Sequence, residues 1–272
     1  MTDDRIAARV AAEAGRRLVA LRAEGGDADT LRRDGDGLSH LYLTGELALF
    51  RPRDAVLSEE GADDPARLSA HRVWIIDPLD GTREFGEPGR TDWAVHVALW
   101  QDGELTAGAV ALPAQDRVLS TWKPTAAPSR AAPGALRVVV SRSRPADFIP
   151  RMTAELGAVI MPMGSAGAKA AAVITGEADA YVHAGGQYEW DSAAPVAVAR
   201  AAGLHASRID GSALRYNQAD PTLPDVLICP VELAPRLLDA IGAAQANGSV
   251  PLSAGPTSAI GDAPASPHLE QS

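Results

Sequence analysis

Cysteine is almost missing from this chain: Cys229 stands alone among 272 residues. One thiol closes no internal disulfide, and its setting, Val226-Leu227-Ile228-Cys229, predicts a buried strand residue. Long apolar runs are missing too. Nothing approaches the roughly 20 residues that span a bilayer, so no membrane partner is expected. The opening Met1-Thr2-Asp3-Asp4-Arg5 is charged and holds no apolar signal core, from which a cytoplasmic location is expected. Positive charge is in deficit, with 25 Lys and Arg against 35 Asp and Glu and a formal net charge of −10. That disfavours a broad basic surface and, with it, a nucleic-acid partner. The six histidines show no ligand spacing. Neither Gly-x-Ser-x-Gly nor Gly-x-Gly-x-x-Gly occurs, which speaks against zinc, serine-hydrolase and dinucleotide chemistry.

What is present fits one large domain or two intimately packed halves, since 46% of the 272 residues are hydrophobic. Apolar spacing predicts a helix over about 5–23, carrying Ile6, Val10, Leu18 and Leu21. A second is predicted over about 38–50, with Leu38, Leu41, Tyr42, Gly45 and Leu49 on one face. The Gly- and Asp-rich segment 25–37 between them reads as loop. Strands are predicted at 55–57 and 73–76, then at 93–100, 106–112 and 118–122 as successive antiparallel partners. A Pro/Ala/Ser-rich stretch, 123–134, reads as a linker. Beyond it, strands at 136–141, 158–161, 178–183 and 226–229 alternate with helices near 145–156, 166–175 and 191–202. The pattern predicts layered α/β packing of an N-terminal α+β half (1–123) and a C-terminal α/β half (135–245). Residues 247–272 are rich in Gly, Ser, Pro and Ala and read as a disordered tail without chemistry.

One segment stands out. Asp77-Pro78-Leu79-Asp80-Gly81-Thr82 follows the buried-strand run Val73-Trp74-Ile75-Ile76, and strand ends are where open α/β sheets build ligand sites. Two carboxylates three residues apart offer the hard oxygen ligands that Mg²⁺ prefers. Glu59 also follows a short apolar strand, and Asp191 opens a helix after Tyr188-Glu189-Trp190. Four carboxylates converging on one pocket repel and take up protons unless cations pair them. Bound divalent cations would reverse the local field and admit an anionic substrate. Taken singly, each acid also has a plain structural role: a turn aspartate, a helix cap, a solvated Glu59-Glu60 pair.

In order and interval these segments resemble the inositol monophosphatase superfamily of Mg²⁺-dependent, lithium-sensitive phosphatases. The resemblance rests on Leu57-Ser58-Glu59-Glu60, on Trp74 through Thr82, and on Glu189-Trp190-Asp191-Ser192-Ala193-Ala194, and it covers about residues 5–245. It implies an α+β sandwich layered α-β-α-β-α. It assigns Glu59, Asp77 and the Leu79 carbonyl to a first Mg²⁺, and Asp77, Asp80 and Asp191 to a second. Glu59 would help a weaker third, with Mn²⁺ a possible substitute and Li⁺ inhibitory. It makes Thr82 and an upstream acid the pair that orients the attacking water. That acid matches Asp36, but Arg33-Asp34-Gly35-Asp36 replaces the usual Thr-x-x-Asp, which leaves Asp34 open. A homodimer is implied as well.

The three residues after the hexapeptide, Arg83-Glu84-Phe85, resemble the 3'(2'),5'-bisphosphate nucleotidase branch, in its actinobacterial form. That implies hydrolysis of the 3'-phosphate of 3'-phosphoadenosine 5'-phosphate to AMP, in sulfate assimilation. The alternatives are a broad inositol 1-phosphate and fructose 1,6-bisphosphate phosphatase, or a non-catalytic binder of phosphate ligands with the same fold. For the substrate, Gly81, Thr82, Gly164 and Ser165 are expected to offer backbone N–H groups, with Lys169 neutralising a second phosphate or standing as a surface lysine. Glu189 is expected to accept from a substrate hydroxyl beside Gly185-Gly186-Gln187, and Tyr181 to stack or pack. Arg215-Tyr216-Asn217 is a further candidate for a far phosphate or base. His96 and His183 read as satisfied core or rim residues.

Overall fold

The computed structural model describes residues 1–126 and 134–246. The middle of the predicted linker and the predicted tail lie outside the described residues. Among those described, two five-stranded sheets stand in five alternating layers with the helices. In the first sheet β1 (Ala55–Ser58) runs parallel to β2 (Arg72–Asp80), and β3 (Ala94–Gln101), β4 (Glu104–Leu112) and β5 (Arg117–Ser120) follow antiparallel. In the second sheet β6 (Arg137–Ser141) runs parallel to both β7 (Val159–Met163) and the central β8 (Ala180–Ala184). Next to β8 the sheet is completed by β10 (Asp225–Cys229) and then β9 (His205–Ser207), with β10 antiparallel to both neighbours.

Period-two alternation decides the layers. On β2, Trp74 and Ile76 face one core with α1 (Asp3–Glu24) and α2 (Ala28–Phe50). Val73 and Ile75 face another, shared with α5 (Ala166–Ile174) and α6 (Glu189–Ala201). The second sheet repeats the device. Val139, Tyr181, Val226 and Ile228 point into the middle core. Val138, Val140, Val182, Leu227 and Cys229 pack under α4 (Ile149–Leu156) and α7 (Ala234–Ala246). Helices α5 and α6 therefore lie between the two sheets, and the ends of β2, α5 and α6 meet in the space that holds the site.

The structure corrects the segment 25–37, read above as loop. Only three residues separate the first two helices, because Asp27 caps α2 by accepting from Thr30 N (2.9 Å). The glycine that suggested a loop is there for contact: a Cβ on Gly35 would lie 2.8 Å from Phe85 Cε1 and 3.0 Å from Leu79 Cδ2. The buried stripe of α2 also differs from the expected one. Ser39, Leu43 and Leu47 face inward, and Leu41 and Leu49 are 73% and 77% exposed. Packing against β2 and α3 (Thr82–Gly86), not the hydrophobicity of the segment itself, fixes its rotation. Elements β9, α3 and α7 add to those expected from the sequence.

Candidate active site

The site begins where β2 stops pairing. Asp77 is in register with His96, but the next partners are Asp80 and Ala94, with a shift between them. Pro78 has no N–H for the ladder, and the freed backbone is held from two sides. Leu79 N donates to Asp77 Oδ1 (3.1 Å), and Ser39 Oγ of α2 donates to the Pro78 carbonyl (2.7 Å). Gly81 then takes φ +86°, in the left-handed region that a side chain rarely adopts. There the chain turns into α3 and brings Thr82 to the site.

Three carboxylates converge. Ligand-capable oxygens of Asp77, Asp80 and Asp191 all lie within 4.8 Å of one another. Asp77 is 1% exposed and is held far above the usual carboxylate range by burial, then by Glu59, Asp80 and Asp191. Asp191 is pushed up to about 6 by burial and by Asp80. One of its oxygens accepts from Tyr188 N (2.7 Å), closing the start of α6. Glu59 is exposed as a residue, yet its carboxyl end is dehydrated against Asp77 and rises to about 7, with Asp191 adding repulsion. Asp80 behaves in the opposite way. Burial favours its protonated form, but His96, Lys169 and Ser165 outweigh that and hold it well below its ordinary value. His96 Nε2 is 3.1 Å from Asp80 Oδ2 and is itself pushed up despite full burial. The Asp80–His96 pair is thus self-compensated. Asp77, Asp191 and Glu59 are left crowded together; His96 Nδ1, 3.9 Å from Asp77 Oδ2, and Lys169, acting on Asp191, offset their repulsion only in part. An all-oxygen donor set this crowded fits hard divalent cations such as Mg²⁺.

Thr82 Oγ lies 2.9 Å from the Leu79 carbonyl and 3.3 Å from Asp36 Oδ1. Asp36 is pushed up to about 7 by burial and by Glu60, with the Thr82 bond opposing. Of the two acids left open by the sequence, the structure places Asp36 against Thr82. Asp34 points outward beside Arg33, half exposed.

These groups open on a cleft of about 250 Å³ whose walls include Glu59, Thr82, Arg83, Ser165, Arg144 and Asp191. Several expected substrate contacts are corrected here. Gly164 N donates to Asp92 (2.7 Å), Gly167 N and Ser165 Oγ donate to Asp80 Oδ2 (2.7 and 2.5 Å), and Ala168 N donates to Ser165 Oγ (3.0 Å). The start of α5 is therefore spent on orienting Asp80. Lys169 is neither a surface residue nor free, because Nζ is buried and donates to the Gly164 and Ser165 carbonyls (3.0 and 2.7 Å). Glu189 faces away from the cleft, accepting from the backbones of Asn217 (2.6 Å) and Gln218 (2.7 Å). Asn217 in turn accepts from buried Arg67 (2.8 Å), so the 215–217 segment braces α6 and lies outside the cleft lining. Tyr181 packs in the middle core and accepts from Gln187 (3.0 Å). His183 Nε2 donates to the Gly185 carbonyl (2.7 Å), and burial lowers its pKa to about 4.

Sequence reading passed over the Ser141–Arg144 loop, whose signal was two arginines directly after a predicted strand. Arg142 bonds Glu84 (2.7 and 3.1 Å) and Glu87 (2.9 and 3.1 Å), tying the second sheet to α3.

Gly167 tests how tightly this shell is packed. An added Cβ would overlap His96 Nε2 and stand 3.0 Å from Ala94 Cβ and Val110 Cγ1. Alanine normally favours a helix by about 1 kcal/mol over glycine. Gly167→Ala is nonetheless expected to lower stability by about 1–3 kcal/mol and to reduce turnover by displacing His96 from Asp80. Thermal unfolding decides the sign, and a raised Tm would refute the packing account.

Fold and site together define a layered α-β-α-β-α protein with an oxygen-donor centre suited to divalent cations. The inositol monophosphatase family profile matches residues 4–246. The chain is 55% identical over 239 residues to the 3'-phosphoadenosine 5'-phosphate phosphatase of Mycobacterium tuberculosis, covering 84% of this chain and 89% of the relative. It is 31% identical over 202 residues to the 3'(2'),5'-bisphosphate nucleotidase CysQ of Escherichia coli, covering 69% and 80%. The crystal structure of CysQ from Bacteroides thetaiotaomicron superimposes with a TM-score of 0.74 at 25% identity, covering 84% of this chain and 97% of that one. The chain belongs to the inositol monophosphatase family.

Proposed function

We propose that this protein is a Mg²⁺-dependent phosphomonoesterase that hydrolyses the 3'-phosphate of 3'-phosphoadenosine 5'-phosphate to AMP and orthophosphate. The observation that carries the reading is the convergence, in one cleft, of the Asp77–Asp80–Asp191 carboxylate cluster with the Thr82–Asp36 pair. Glu59, Asp77, Asp80, Asp191 and the Leu79 carbonyl would hold two to three Mg²⁺ ions. The bound ions supply Lewis-acid charge to the phosphate and lower the pKa of water.

The chain's own groups set the direction of attack. The Thr82 hydroxyl donates toward Asp36, so its lone pair faces the cleft and accepts from water. That fixes which water lone pair meets phosphorus. The new P–O bond forms as the bond to the 3'-oxygen breaks, and the leaving oxygen ends protonated. His96, Ser165 and the Gly167 N–H keep Asp80 ionised and aimed. The Gly81-Thr82 backbone borders the phosphate position.

The printed activity of the 55% identical relative supports the nucleotide as substrate, as does Glu84, the branch-marking residue that engages Arg142. The reading brings with it a cytoplasmic role in sulfate assimilation, a homodimer, replacement of Mg²⁺ by Mn²⁺ and inhibition by Li⁺. Phosphate release from the bisphosphate nucleotide, inositol 1-phosphate and fructose 1,6-bisphosphate under one set of conditions tests it. The highest kcat/KM is expected for the nucleotide and only with Mg²⁺. Preference for inositol 1-phosphate would overturn the substrate, and the absence of any Mg²⁺-dependent turnover would overturn the enzyme.

A further inference from the structure

A bisphosphorylated substrate brings a second dianion into a cleft whose far end is already crowded with carboxylates. Its affinity depends on a cation with donors to spare. Four arginine and lysine side chains line the cleft: Arg83, Arg142, Arg144 and Lys169. Two are committed. Lys169 spends two of its three donors on the carbonyls of Gly164 and Ser165, and Arg142 is bound by two carboxylates. Arg83 follows Thr82 on α3 and stabilises the Glu87 carboxylate at a distance. Arg83 and Arg144 are both exposed, and neither guanidinium has a hydrogen-bond acceptor or ion-pair partner among the described residues. Arg83 is next to Thr82 at the reacting end, whereas Arg144 stands across the cleft on the loop that follows β6. Arg144 lies 3.2 Å from where a Cβ of Gly186 would be, and its field reaches into the cleft as far as His183, where it favours the neutral ring.

The loop that carries Arg144 is anchored at both ends. Arg144 N donates to Ser141 Oγ (3.1 Å), and Arg142 N donates to the Met163 carbonyl (3.1 Å). Between them the Arg142 guanidinium crosses to Glu84 and Glu87 on α3. Glu84 is buried, and a Cβ on Gly164 would overlap its carboxyl group, so the bridge has little room to shift. A planar cation held on a braced loop with all its donors open matches what a phosphate monoester requires.

We propose that Arg144 receives the second phosphate of the substrate, and that the Arg142–Glu84–Glu87 bridge is the positioning device that holds it there. This rests on the reading of the cleft as a bisphosphate nucleotide site. It gives Glu84 a specific purpose: the residue sets the branch of substrate through a loop on the opposite sheet, without touching the ligand itself.

The test compares two esters that differ only in the second phosphate, 3'-phosphoadenosine 5'-phosphate and 3'-AMP, on the full chain with Mg²⁺. In Arg144→Gln the ratio of kcat/KM for the bisphosphate over 3'-AMP is expected to fall roughly 10- to 100-fold, the loss of a charge-assisted phosphate contact. The loss should appear in KM. Arg144→Lys should restore part of it, and Arg142→Met should reproduce the drop with Arg144 intact. Arg144 is exposed, so its variants should unfold at the wild-type temperature. An unchanged ratio in Arg144→Gln overturns the inference, whether both rates fall together or neither falls. A drop in Arg83→Gln in place of Arg144→Gln also overturns it. A wild type that prefers inositol 1-phosphate to either nucleotide overturns the substrate reading first, and this inference with it.

Discussion

Asp77→Asn is expected to cut Mg²⁺-dependent phosphate release by about a thousandfold or more, roughly 4 kcal/mol of transition-state stabilisation, while leaving the metal-free protein as stable as wild type or more so. Both halves follow from one fact. Asp77 is buried beside Glu59, Asp80 and Asp191 and is driven far above its ordinary pKa. In the cation-free protein that crowding opposes folding, and an isosteric amide relieves it. With Mg²⁺ the same carboxylate would serve both proposed ion positions, and an amide would bring no charge to them. The pH dependence sharpens the prediction. Glu59 and Asp191 have ordinary values of 4.5 and 3.8 and are raised to about 7 and about 6 by burial and mutual repulsion. Groups raised on folding favour the native state below their unfolded pKa, and that advantage is lost as pH climbs through the folded values. Asp80, which is depressed, acts only in the acid range below its ordinary 3.8. The metal-free wild type should therefore unfold at a lower temperature at pH 8 than at pH 5. Asp77→Asn should flatten the slope, and Mg²⁺ should flatten it in wild type alone. Melting curves in chelator and in Mg²⁺ read all three. An Asn variant that keeps its turnover, or that melts well below wild type without metal, would remove Asp77 from the centre.

The layered fold was legible because β2 writes its two faces into alternate residues, Trp74 and Ile76 against Val73 and Ile75, and β6, β8 and β10 do the same. The acid cluster could be anticipated because Asp77, Asp80 and Thr82 share one turn. What could not be read locally depends on a third element. Gly35 looks like a loop residue until Phe85 and Leu79 are packed over it. Lys169 and Gly164 looked like ligand contacts, yet Lys169 Nζ closes the start of α5 on the Gly164 and Ser165 carbonyls and Gly164 N serves Asp92. Glu189 sits two residues from Asp191, but the helical turn sends it the other way, onto Asn217 and Gln218. Arg144 was invisible for the converse reason. The proposed role rests on a guanidinium with no partner among the described residues, on a loop whose other arginine has two, and only side-chain placement reveals that difference.

The Thr82–Asp36 pair makes the second large prediction, because the two residues are useful only together. Thr82 has one hydroxyl proton and two acceptors in reach, the Leu79 carbonyl at 2.9 Å and Asp36 at 3.3 Å. If the Leu79 carbonyl held a cation, the proton would go to Asp36, and the remaining lone pair would be left to hold water. Thr82→Val removes both the proton and the lone pair. Asp36→Asn keeps the shape but presents an amide that can itself donate, so the hydroxyl is free to turn its lone pair away from the water. Each is expected to lower kcat by about a hundredfold, within the range for positioned proton transfer. The double variant should be no worse than the poorer single, the mark of residues acting as one unit. Asp34→Asn is expected to stay within about twofold of wild type, since Asp34 lies on the surface beside Arg33 and exposed pairs contribute little. Substrate affinity should hold in all three, because neither residue carries charge to the second phosphate. Multiplicative losses in the double variant would separate Asp36 from Thr82, and a collapse in Asp34→Asn would transfer the role to the other acid.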